Sequence, residues 1–200
     1  MPTTDSLTST ARWRTLDIVT CAVIAVAFGI VFWAWNFLWA ALEAPFSFYP
    51  PLRAVIYGVW LIPAVLAPLI VRRPGAAVFT EGLAAVISAF LGSFWGIMVV
   101  YQGLVQGLGG ELAFASGRYR RFGTGTAMLA GAMATFAATV FDAFAWYPHA
   151  DWLTFRLPFI AIATVSGAII AGLGSKALVG AMQPTGVLDR FPAGRERRRI

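Results

Sequence analysis

Residues 18–42 read IVTCAVIAVAFGIVFWAWNFLWAAL, 25 residues without a charge between Asp17 and Glu43. A bilayer core of about 30 Å needs roughly 20 apolar residues at 1.5 Å rise each. The run is long enough to cross, and the pattern recurs. Uncharged stretches lie between Arg53 and Arg72, Glu81 and Glu111, Arg121 and Asp142, and Arg156 and Lys176. The region from Pro74 to Gly117 has room for two crossings, divided near Gly92–Gly96. This predicts transmembrane helices at about 15–40, 54–71, 76–94, 98–117, 123–147 and 156–183. The runs are continuously apolar. A β-barrel needs polar lumen residues in alternation, so that fold is rejected. The expected class is all-α, an integral membrane bundle of six transmembrane helices.

Composition agrees. Of 200 residues, 59% are hydrophobic and 12% charged, with mean hydropathy +0.74. Soluble domains carry about 25% charged residues, so this chain has too little charge to cover a wet surface. Soluble enzymes, nucleic-acid-binding domains and disordered proteins are thereby disfavoured.

The net charge of +6 has a topological reading. With an even number of spans and the amino terminus inside, the cytoplasmic side collects Arg12, Arg14, Arg72, Arg73, Arg118, Arg120 and Arg121. It also collects Lys176, Arg190, Arg195 and Arg197–Arg199, which leaves only Arg53 and Arg156 outside. Positive residues concentrate on the cytoplasmic side of membrane proteins. Both termini are therefore expected in the cytoplasm, and no nucleic-acid partner is needed. The expected organisation is a cytoplasmic segment 1–14, a membrane domain 15–183 and a basic cytoplasmic tail 184–200. The tail Arg195–Arg199 is expected on anionic lipid or in solvent. The first ten residues hold no Lys or Arg, unlike a secretory signal. The single cysteine, Cys21, falls inside the first span and reads as a packing residue.

Missing motifs narrow the function. The chain has no G-x-x-x-x-G-K-[ST] phosphate cradle, no H-E-x-x-H and no G-x-S-x-G. Its one histidine, His149, lies in an outer turn and makes a poor basis for a metal site. An enzyme is not expected, and neither a cofactor nor a resident metal is implied.

What remains is polarity at membrane depth, where Asp or Glu costs at least about 2.5–3.5 kcal/mol. Glu81, Glu111 and Asp142 are the candidates. Each could be a ligand group or an interhelical hydrogen-bonding group, and Asp142, one turn before Trp146, favours the first. Gln102 and Gln106 share a helix face, and their amides both donate and accept, which suits the edge of a pyrimidine. Gly103 and Gly107 form a G-x-x-x-G pair for close helix packing. Trp35, Asn36, Trp39, Tyr57, Trp60, Trp146 and Tyr147 collect at the outer ends of spans. An aromatic belt explains any one of them. Together with Asp142 they have the composition of a cage for a flat or cationic ligand. In the first span Ala22, Ala25 and Gly29 form a small-residue stripe, suited to packing within the chain or to docking a second membrane protein.

Several long blocks carry a resemblance: RWRTLDIVT, FGIVFWAWNFLW, YGVWLIPAVLAPLIVRRPGAA, QGLGGELAF, GRYRRFG and TGVLDRFPAGRE. Over about Arg12 to Gly194 the chain resembles the substrate-binding S components of energy-coupling factor (ECF) transporters. It is most similar to the YkoE type, associated with thiamine and its hydroxymethylpyrimidine (HMP) precursor. The resemblance implies six helices, a vitamin pocket near the outer face and no ATPase in the chain. It implies a plasma-membrane complex with a transmembrane coupling subunit and cytoplasmic ATPases. It also implies docking through small residues of the first helix, here Ala22, Ala25 and Gly29, with glycine where the pattern has a second alanine. Two rival readings stay open. One is a structural or regulatory membrane subunit without ligand. The other is a stand-alone ion-coupled carrier using Glu81, Glu111 and Asp142.

Overall fold

The computed structural model describes residues 12–195, and every regular element among them is helical. Helix α1 spans Thr15–Ala41, α2 Pro50–Val71, α3 Ala76–Phe90, α4 Met98–Ser116, α5 Thr124–Ala145 and α6 Trp152–Thr185. Four of these, α1, α2, α5 and α6, are long and apolar enough to cross a membrane. α3 is shorter at 15 residues, and α4 carries Gln102, Gln106 and Glu111 along its 19.

Three boundaries differ from the charge-bracketed expectation by four residues. α2 begins at Pro50 rather than 54, because two prolines whose ring fixes a helical φ open it. It winds as a 3₁₀ helix over Pro50–Leu61 and as an α-helix over Ile62–Val71. α3 stops at Phe90 rather than 94, just before Gly92 takes φ +87°. α6 begins at Trp152 rather than 156. The Asp151 carboxylate caps it, accepting from the N–H groups of Leu153 at 3.0 Å and Thr154 at 2.8 Å.

The most apolar window of α2 is 78% buried and that of α1 only 22%. α2 is thus the central rod and α1 a peripheral one. Around α2, α1 packs on α3, α3 on α4, α4 on α5, and α5 on α6. Large apolar side chains point outward, among them Val23, Phe90, Phe136 and Val165. In water such a surface would drive aggregation; against lipid it is at rest.

Close approach depends on missing side chains. A Cβ at Gly107 would lie 2.7 Å from the Val78 Cα, and one at Gly103 would overlap the Ala85 methyl. The G-x-x-x-G pair therefore seats α4 on α3. Gly29 does the same for α1, where a Cβ would lie 2.6 Å from Ile87. Ala25 is fully buried as well. Within the chain Ala25 and Gly29 of the stripe pack α1 against α3, and Ala22 is half-buried beside them.

Both described termini lie at one end of the bundle. There Asp17 joins α1 to the α2–α3 turn, pairing with Arg14 at 2.7 Å and Arg73 at 2.9 Å. The indole of Trp13 donates to the Pro74 carbonyl at 3.0 Å. Leu188, Phe191 and Ala193 fold back into the core. Residues 196–200, which carry most of the basic tail, lie outside the described residues.

Candidate functional site

At the opposite end the helices part around a cavity of about 540 Å³, its opening included. α1 contributes Phe32, Asn36 and Trp39, and α2 contributes Tyr57 and Trp60 from its 3₁₀ half. α3 contributes Ala85 and Ser88, and the turn after it Trp95. α4 adds Val99, Gln102 and Gln106. α5 adds Asp142, followed by Trp146 and Tyr147.

Aromatic rings build the walls. Trp39 meets Trp60 edge-on at 5.2 Å, and Tyr57 meets Trp60 at 5.2 Å. Trp95 lies 5.1 Å from Trp146, closing one side. The Trp95 indole donates to the Asn36 side-chain oxygen at 3.2 Å, and the Asn36 amide donates to Ser93 at 3.2 Å. Behind Trp39, the Arg53 guanidinium stacks on the ring at 4.3 Å and pairs with Glu43 at 3.1 Å.

One acidic side chain sits in this shell. The Asp142 carboxylate is 4% exposed. Tyr57 donates to its Oδ2 at 2.6 Å, and Gln102 donates to its Oδ1 at 2.6 Å. Gln102 also donates to the Tyr57 hydroxyl oxygen at 2.9 Å. Both donors to the carboxylate are neutral. Asp142 also lies in the last turn of α5, where the helix dipole is negative. A buried carboxylate in that position favours a cation or a strong donor. Among the described residues no Lys, Arg or His lines the cavity.

Nine residues expected at a ligand site therefore come together: Asn36, Trp39, Tyr57, Trp60, Gln102, Gln106, Asp142, Trp146 and Tyr147. Three do not. Trp35 turns away and donates to the Ile56 carbonyl at 3.2 Å. Glu81 is fully buried between helices, accepting from the Ala64 N–H at 2.9 Å. Glu111 lies toward the other end. It accepts from the N–H groups of Gly75 at 2.6 Å and Ala77 at 2.9 Å, and from the Tyr119 hydroxyl at 2.7 Å. It thus caps the start of α3, whose first N–H groups have no partner within the helix. The Tyr119 hydroxyl is pushed above its ordinary pKa by burial and by this bond to Glu111.

Phe32, Ala85, Ser88, Trp95 and Val99 join the cavity unannounced by the sequence. Ala85 and Ser88 are three apart on α3 and so share a face, but no charge or ring distinguishes them from packing residues.

The fold and the sequence both have relatives. The family model for the permease component of ABC-type cobalt transport systems matches residues 16–137. A Bacillus subtilis (strain 168) protein named "Putative HMP/thiamine permease protein YkoE" is 34% identical over 184 residues, 92% of each chain. A crystal structure of an S-component of an ECF transporter superposes with TM-score 0.87 at 33% identity, over 94% of each chain. The chain belongs to the S components of ECF transporters, in the YkoE group.

An S component is one part of a transporter, so this protein is a multi-pass plasma-membrane protein that implies ECF partner subunits. Its relatives are transport subunits rather than enzymes. The acids lend no support to a proton relay, because Glu81, Glu111 and Asp142 each bond to different groups.

Proposed function

We propose that this S component captures thiamine or its HMP precursor in the aromatic cavity from the extracellular side. It releases the ligand inside when partner ATPases drive the assembled transporter. On this reading all of α1–α6 cross the membrane and both termini are cytoplasmic. The observation that carries it is Asp142, a buried carboxylate held by neutral donors in a cage of tryptophans. A pyrimidine or thiazolium ring fits between indoles. The carboxylate accepts from the 4-amino group or offsets the ring's positive charge, while Gln102, Gln106 and Asn36 orient the polar edge. The B. subtilis relative's name supports the same ligand pair.

Cobalt, the cargo in the family model's description, suits the cavity poorly. Transition-metal sites gather several N, O or S donors, and no group of three His, Cys, Asp or Glu able to hold a metal occurs among the described residues.

The test is a titration of the purified protein in detergent with thiamine and with HMP, followed by tryptophan fluorescence. Four of the eight tryptophans, Trp39, Trp60, Trp95 and Trp146, line the cavity, so a bound ring changes much of the emission. Saturable quenching at submicromolar ligand, lost in Asp142→Ala, is expected. A flat titration with folded protein would overturn the reading.

A further inference from the structure

We infer that the cavity selects by charge: it admits the unphosphorylated ligand and turns away the phosphate esters of the same molecule. This rests on the thiamine/HMP reading and adds to it a substrate class that the relatives' names leave open.

A phosphate monoester brings a charge of about −1.5 to −2 at neutral pH and needs cations or free N–H groups around its oxygens. The cavity wall supplies no cation, and its free N–H donors are neutral, the Gln106 amide and the indoles of Trp39, Trp60 and Trp146. Among the described residues its one ionisable acid is Asp142, which when ionised has the sign of the phosphate, and no Lys, Arg or His lines it. The nearest described cation to the tryptophan wall, Arg53, is already engaged. Its guanidinium lies over the Trp39 ring, bonds the Trp39 carbonyl at 3.4 Å and pairs with Glu43 at 3.1 Å.

A helix amino terminus could substitute for a cation, and α4 begins at the cavity's edge. Two of its opening N–H groups are taken, however. Val99 donates to Gly96 at 3.4 Å and Val100 to Ile97 at 3.0 Å. The Trp95–Trp146 contact at 5.1 Å forms part of the wall, so an ester group on a seated ligand lies among rings rather than cations. Held in one low-dielectric cavity with Asp142, it meets repulsion that water screens poorly.

The experiment compares thiamine, HMP, thiamine monophosphate and thiamine pyrophosphate on the full-length protein in detergent, with wild type and Asp142→Asn side by side. In wild type both esters bind at least about 100-fold more weakly than thiamine. In Asp142→Asn thiamine weakens while the monophosphate does not, so the ratio between them narrows. A purely structural role for Asp142 would weaken both ligands alike. Monophosphate binding within about threefold of thiamine in wild type overturns the inference and leaves the vitamin reading standing. Absence of binding by all four ligands to folded wild type defeats the vitamin reading, and this inference falls with it. Should Asp142→Asn not fold, the wild-type ratio decides alone.

Discussion

Ser88 and Thr80 both bury a hydroxyl that has no hydrogen-bond partner within the chain, and of the two Ser88 lines the cavity. Thr135, Thr139 and Thr164 each return a bond to the carbonyl four residues back, at 2.7, 2.8 and 2.7 Å. The Ser88 oxygen is fully buried, lines the cavity and has no partner within the chain. A buried hydroxyl left unmet costs about 1–3 kcal/mol, which a ligand donor or acceptor would restore. Ser88→Ala should leave melting in detergent unchanged or slightly raised. Thiamine affinity should fall roughly threefold to tenfold, the worth of one net hydrogen bond. Unaltered affinity would remove Ser88 from the site. Glu111 makes the opposite case. Its bonds go to the backbone of Gly75 and Ala77, so Glu111→Ala should cost about 1–2 kcal/mol of stability and spare binding. Melting and titration of one preparation separate the two effects.

Among the elements, α4 has two tasks on adjacent stripes. Gln102 and Gln106 face the cavity, while Gly103 and Gly107 lie against α3. Cavity width at that wall is therefore set by how closely two backbones approach. Gly107→Leu should push α4 off α3, lowering the melting temperature and abolishing binding together. Gly125→Ala, where an added Cβ meets nothing within 4 Å, serves as the control and should change neither. The non-α winding of α2 matters here as well. Its 3₁₀ half carries Tyr57 and Trp60 three residues apart, and three residues per turn bring both rings to one face. A 3.6-residue period would rotate them apart by about 60°.

For the whole molecule, topology is the property to test. Cys21 is fully buried, so added cysteines can be labelled against a low background. Ser47→Cys, in the exposed α1–α2 connection, should react with a membrane-impermeant maleimide in intact cells. Arg120→Cys, in the exposed α4–α5 connection, should react only after permeabilisation. Labelling of both from outside would refute the proposed orientation. The cavity and the described termini occupy opposite ends of the bundle, so one experiment places both.

Charge and hydropathy alone determined that this chain is a helical membrane protein, because lipid forbids unpaired backbone and long uncharged runs leave few alternatives. Most cavity residues were legible too. Acids, amides and tryptophans are costly or specialised in a membrane, so Asp142, Gln102 and Trp39 stand out one by one. Only the tertiary structure decided which polar groups meet. Glu81, Glu111 and Asp142 look alike in the sequence, yet one is packed between helices, one caps a helix and one faces a cavity. The small stripe Ala22, Ala25 and Gly29 is equally open in the sequence to inward or outward use, and the structure packs α3 against Ala25 and Gly29. The reason is physical: composition sets what a side chain costs to bury, and the packing of neighbouring helices sets what it is buried against.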